Sequence, residues 1–219
     1  MEGRVTTDQL IAQLRDDARP VRRLRPPLVR ASLWLLVIAT IAVPLIWRFS
    51  DLQLFMRRAE DPKLALELTG TLLTGIAATI SAFHLSLPDR PARWALLPLV
   101  PLLLWIGASG YSCWRHWITV GPDGWVLGES AECFIFILAV SIPLGTSLLL
   151  LLRRARPLTP VRVAVFGGLG VAALSAFILQ FFHPFDVTFL DLGAHLAAVG
   201  LVILLSGAIG RLLRARISV

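Results

Sequence analysis

Two cysteines and four histidines carry much of the chemistry open to this chain of 219 residues. Cys113 and His116 stand three positions apart, a spacing with which one turn of chain presents two ligands to a metal ion. Cys133 and His183 could join them from other helix ends, giving a thiolate and imidazole set suited to soft or borderline cations. Cys113 and Cys133 could instead close a disulfide across the segment between them, worth about 3 kcal/mol in the chain-entropy account. The residue types leave both readings open, an inert or bridged pair and a redox- or metal-responsive thiol. Asp191 and His195 are four apart and share a helix face, as a proton or ion relay would require. His84 stands alone in an apolar run and reads as a hydrogen-bonded structural residue. Asp186, just after Pro184, is placed to cap the helix that follows.

Signatures of catalysis are missing. The chain has no glycine-rich phosphate loop, no Gly-x-Ser-x-Gly, no His-Glu-x-x-His and no paired cytoplasmic carboxylates. Its histidines do not form pairs at matched depths, as a two-haem cytochrome b needs. Neither an enzyme nor a resident cofactor is expected.

The elements that must position these groups follow from composition. Hydrophobic residues make up 56% of the chain and charged residues 16%, against about 45–50% and 25% in soluble domains. Crossing about 30 Å of hydrocarbon takes roughly 20 residues of helix. Six runs qualify, near residues 31–47, 64–87, 92–111, 131–152, 161–182 and 187–210. None alternates with period two, so the fold class is all-α, a six-helix transmembrane bundle. Pro44, Pro98, Pro101 and Pro143 fall inside the runs as tolerated kinks. Gly70, Gly75, Ala78 and Ala82 in the second run, and Gly167, Gly168 and Gly170 in the fifth, suit close helix contacts. Trp34, Trp94, Trp47, Trp114, Trp117 and Trp125 sit near span ends as interfacial anchors, and Trp105 is deeper and packs.

An even number of spans puts both termini on one side. The segments on that side carry 16 of the 21 Lys and Arg, and those on the other carry 5. The positive-inside rule then makes both termini cytoplasmic and the cysteines outward-facing. The net charge of +7 therefore reports orientation in the bilayer, and no direct nucleic-acid contact is expected. No cleavable signal peptide is expected either, since about 30 polar residues precede the first apolar run.

Those first 30 residues form a short cytoplasmic segment, followed by the bundle over residues 31–210 and a tail over 211–219. Thr6 and Gln9 have capping-box spacing. Leu10, Ile11, Leu14 and Ala18 then fall on one face of an amphipathic helix that Pro20 ends. So short a helix is marginal alone in water. Its apolar stripe needs the membrane surface, the protein's own helices or a partner's groove. The basic cluster Arg22-Arg23-Leu24-Arg25 reads as a topology signal attracted to anionic lipid.

Several stretches resemble the NrsF family (negative regulator of sigma F). They are Thr7-Asp8-Gln9-Leu10-Ile11, Arg19-Pro20-Val21, Arg25-Pro26-Pro27, Glu132-Cys133, Leu151-Leu152-Arg153-Arg154-Ala155, Phe182-His183-Pro184-Phe185-Asp186 and Leu192-Gly193-Ala194-His195. The resemblance implies a bacterial inner-membrane anti-sigma factor with six spans. It implies that Leu10, Ile11 and Leu14 hold an extracytoplasmic-function sigma factor away from RNA polymerase. It also implies that outward-facing cysteines sense oxidative or heavy-metal stress and release that partner. Cys133 matches one family cysteine; the other usually follows the histidine of the last turn, where this chain has Pro184. Cys113 could supply the second thiol from elsewhere. Two other readings stand beside this one: a small transporter or ion relay using Asp191 and His195, and a membrane scaffold whose tail lies on lipid.

Overall fold

Three of the long helices in the computed structural model begin with proline, at Pro27, Pro62 and Pro160. A proline there loses no hydrogen bond, because the first helical N–H groups have no partner within the helix. Residues 6–16, 24–120, 127–182 and 189–215 are described. They form α1 (Thr7–Asp16), α2 (Pro27–Phe49), α3 (Leu52–Arg58), α4 (Pro62–Leu85), a 3-10 turn (Ala92–Leu96), α5 (Leu99–Val120), α6 (Leu127–Arg153), α7 (Pro160–Leu179) and α8 (Phe189–Ala215). No strand occurs among them. Six of these helical segments are long and apolar enough to cross a membrane, in agreement with the composition.

The third span departs from its expected bounds. Its helix proper starts at Leu99, after the separate 3-10 turn, and runs on to Val120. Leu97 keeps helical backbone angles, but Pro98 has no N–H to donate back to the preceding turn, so one rung of the ladder is missing at the break. The far end extends because Cys113 and its neighbours continue the helix beyond Tyr111. The fourth and sixth helices also outrun their apolar cores, to Leu127 and to Ala215. A further difference is α3, a two-turn helix between the first two spans that the apolar pattern does not announce. Asp51 starts it, accepting a hydrogen bond from the Leu54 amide at 2.9 Å. Asp61 starts α4 in the same way, from the Lys63 amide at 2.9 Å. That bond, together with the neighbouring ammonium of Lys63, holds the exposed Asp61 carboxyl below its ordinary range.

Helices α4 and α7 are the most enclosed of the six, and the others pack around them. α4 lies against α2, α5 and α7, while α7 lies against α4, α6 and α8. Small residues set these distances. A Cβ on Gly170 would meet Thr79 Oγ1 at 2.7 Å and the Thr79 backbone nitrogen at 3.0 Å. One on Gly70 would meet the backbone of Trp105 at 2.8 Å, and one on Gly210 the backbone of Val161 at 2.8 Å. The apolar runs had singled out Gly70 and Gly170 for close contact; Gly170 sits in the α4–α7 seam, Gly70 in that of α4 with α5.

Several polar atoms of the central helices are satisfied locally, while the buried Thr79 Oγ1 beside Gly170 has no hydrogen-bond partner among the described residues. Thr74 donates to the Gly70 carbonyl at 2.7 Å, and Ser81 donates to the Ala77 carbonyl at 2.8 Å and to that of Trp94 at 2.7 Å. Ser141 of α6 and Ser175 of α7 meet hydroxyl to hydroxyl at 3.1 Å. Such bonds between membrane helices average about 0.6 kcal/mol each.

Two tryptophans correct the interfacial assignment. Trp34 is buried, and its indole N–H donates to Ser147 at 3.1 Å, which ties α2 to α6. Trp94 stacks on His84 with ring centroids 3.6 Å apart. Both sit where helices converge, so the packing consumes the rings. His84 itself is buried against that ring, and neither of its nitrogens has a hydrogen-bond partner among the described residues. Its structural role is stacking, where hydrogen bonding was expected. Trp47 and Trp114 are exposed on the bundle surface, as anchors should be, and Trp125 lies outside the described residues.

The close α4–α7 approach gives a direct test. Gly170→Leu should lower the apparent Tm of the purified protein, because overpacking a tight contact costs about 1–3 kcal/mol. Gly110→Ala, where a Cβ meets nothing within 4 Å, should leave the Tm unchanged or raise it slightly.

Candidate functional site

The amphipathic tail helix starts as its sequence dictates. Thr6 N–H donates to Gln9 Oε1 at 3.0 Å, and Gln9 N–H donates back to Thr6 Oγ1 at 3.4 Å, so both arms of the capping box are present. The helix that follows buries none of its residues. Leu10, Ile11 and Leu14 are 50%, 58% and 64% exposed, a continuous apolar stripe left open to a partner or to lipid. Residues 17–23, including Arg22 and Arg23, lie outside the described residues.

Of the four residues proposed for metal or redox chemistry, two can be placed by their side chains. Cys113 is fully buried in α5, and Cys133 is 5% exposed in α6. Neither forms a disulfide. Cys133 packs with Ile137, Ala176, Leu179 and Ala198, under the partly buried Trp105 and Phe136. His116 lies on α5 with its side chain undescribed, and His183 falls outside the described residues. No group of three metal-binding side chains gathers among the described residues.

Asp191 and His195 do share a face of α8, as their spacing requires. Asp191 is buried, in spite of its place in the first turn of the helix. His195 lines a cavity of about 250 Å³ between α4, α5, α7 and α8. The cavity also brings in a residue that sequence reasoning passed over, Glu67 of α4, which is only 3% exposed. Its signal was available: a single carboxylate inside a membrane-length apolar helix is costly and by default functional. Ser109 and Gln180 complete the polar part of the lining. Glu67 and Asp191 both lie within electrostatic range of the Cys113 sulfur. Thus the buried thiol of α5, two carboxylates and an imidazole gather at the end of the bundle remote from the start of α2.

A bundle of six membrane-length helices with a short, fully exposed amphipathic helix before it fits a multi-pass α-helical membrane protein. A family model described as "Negative regulator of sigma F" matches residues 14–215, nearly the whole chain. The chain belongs to this family, NrsF, whose name is that of an anti-sigma factor with a sigma factor as its partner. Leu14 opens the matched stretch, and Leu10 and Ile11 precede it. No curated protein matches the chain, and no solved structure does.

Burial of both cysteines predicts slow thiol chemistry in the native state. Maleimide labelling of the intact protein in lipid nanodiscs should run about tenfold or more slower than after denaturation in SDS. Fast native labelling of Cys113→Ser or Cys133→Ser variants would identify a thiol that the fold leaves open.

Proposed function

We propose that this chain sequesters an extracytoplasmic-function sigma factor on the cytoplasmic side of a bacterial inner membrane. In this reading it releases the factor when envelope oxidative or heavy-metal stress reaches its cysteines. One observation carries the reading: the stripe of Leu10, Ile11 and Leu14 is exposed, on a helix whose cap is already made. An amphipathic helix with an uncovered face fits an apolar groove on a partner. The 16-to-5 distribution of Lys and Arg supports a cytoplasmic tail, on the side where a sigma factor is found.

Cys133 is the sensor in this reading, with Cys113 as the second thiol in place of the family cysteine replaced by Pro184. Both are core residues of the far half of the bundle, so modification of either cannot be accommodated without moving helices. That is the property a signal needs if it is to change the affinity of a tail at the other end. The outcome would be a shift between two arrangements of the bundle, only one of which leaves α1 able to hold its partner.

Deleting residues 1–20 should abolish co-purification of the sigma factor while membrane insertion persists; capture that survives the deletion would overturn the assignment of α1. Ile11→Ser alone removes a side chain whose burial is worth about 1.5–3 kcal/mol, so it should weaken capture roughly tenfold or more. Cys133→Ser should blunt the response of a sigma-dependent reporter to oxidants or cadmium. An unchanged response would remove this thiol from the mechanism.

A further inference from the structure

The cavity between α4, α5, α7 and α8 is graded along its length. Gln180 follows the last residue of α7, Glu67 lies in the second turn of α4, and His195 lies in the second turn of α8. All three are therefore near the end of the bundle where α4 and α8 begin and α7 ends. Ser109 joins them, since the contact of Gly70 with Trp105 fixes the register of α4 on α5 and carries Ser109 one turn further that way. The opposite end of the cavity is lined by Leu169 and Ile203, near the middle of their helices. Between Leu192 and Ile203 the lining covers three turns of α8, about 16 Å at 1.5 Å per residue. The shape is that of an amphiphile, with polar groups at one end and hydrocarbon along the rest.

Charge selects the sign of the head. Among the described residues lining the cavity there is no Lys or Arg, while Glu67 contributes a buried carboxylate. A second buried carboxylate, Asp191, lies one turn beyond His195. Carboxylates held in so apolar a setting favour a cation that brings its own hydrophobic body, because neither partner then needs to be fully hydrated. Trp105 is part of the wall, and indole is the ring type that best attracts a weakly hydrated cation such as a quaternary ammonium. Gly200 leaves room opposite: a Cβ built there meets nothing within 4 Å.

We propose that this cavity is a binding site for a lipophilic organic cation, its charged head beside Glu67 and its hydrocarbon or aromatic body directed towards Leu169 and Ile203. The site does not depend on capture of a sigma factor by α1. The probe is trimethyl(4-phenylbutyl)ammonium, radiolabelled, with the full-length protein in lipid nanodiscs and empty nanodiscs subtracted. Saturable binding of one cation per chain is expected. It should weaken at least tenfold in Glu67→Gln, and at least tenfold for the uncharged isostere in which a tert-butyl group replaces the trimethylammonium. Gly200→Phe, which fills the cavity without touching a carboxylate, should abolish binding and keeps the test decisive if Glu67→Gln fails to fold. Absence of saturable binding by the native protein would overturn the proposal. So would equal affinity for the cation and its neutral isostere, which would make the cavity a slot for lipid acyl chains, and so would undiminished binding by either variant.

Discussion

The backbone-to-backbone approach of α4 and α7 is the constraint on which the rest of the bundle depends. Hydrocarbon surrounds such helices as readily as they surround one another, so association rests on close packing and interhelical polar contacts. Gly75 and Gly170 let the two helices draw together until a Cβ at either would collide with its neighbour. That approach aligns Thr79 with Gly170 and Leu174 with Gly75, which fixes the longitudinal register of both helices. The peripheral helices then take their depths from this pair: α5 through Gly70 against Trp105, and α8 through Gly168 against Ser206 and Gly210 against Val161.

Fixing those depths has a consequence at the far half of the bundle. α5 and α8 each lie against the central pair more closely than against each other, and the gap they leave becomes the cavity. Register places the ionisable groups of two helices, Glu67 of α4 and Asp191 and His195 of α8, at the rim of that gap, with the two cysteines in the packed shell around it. At the other end, Arg30 closes the seam. Its guanidinium donates to the Leu151 carbonyl at 2.7 Å and lies over the ring of Phe83 at 5.0 Å, joining α2, α4 and α6. A terminal carbonyl of α6 is thereby satisfied by a cation from another helix.

Much of this was legible in the residues. Six apolar runs gave six spanning helices, and Thr6 with Gln9 gave the start of α1, because both signals are local and follow from periodicity and spacing. The glycine-rich stretches gave the close contacts for the same reason. Which ring meets which partner was not legible. Trp34 and Trp94 carry the residue type of an interfacial anchor, and only the convergence of α2 with α6, and of α4 with the 3-10 turn, turns them inward. Glu67 was overlooked because the polar groups that share its cavity, Ser109 and His195, come from other helices. Sequence separation hides such a site, whereas Asp191 and His195, four apart, declare themselves.

The reciprocal cap of α1 bears on timing as well as on structure. A segment that must fold on its partner loses chain entropy at the moment of binding, and its affinity is reduced by that amount. Thr6 and Gln9 move part of this ordering ahead of the encounter, since the first turn, the costly nucleus of any helix, is already closed on itself. In the proposed reading a partner would then meet a helix whose first turn is already closed, and more of the free energy of contact would go into holding. Residence time, more than the speed of capture, becomes the quantity such a tail can adjust.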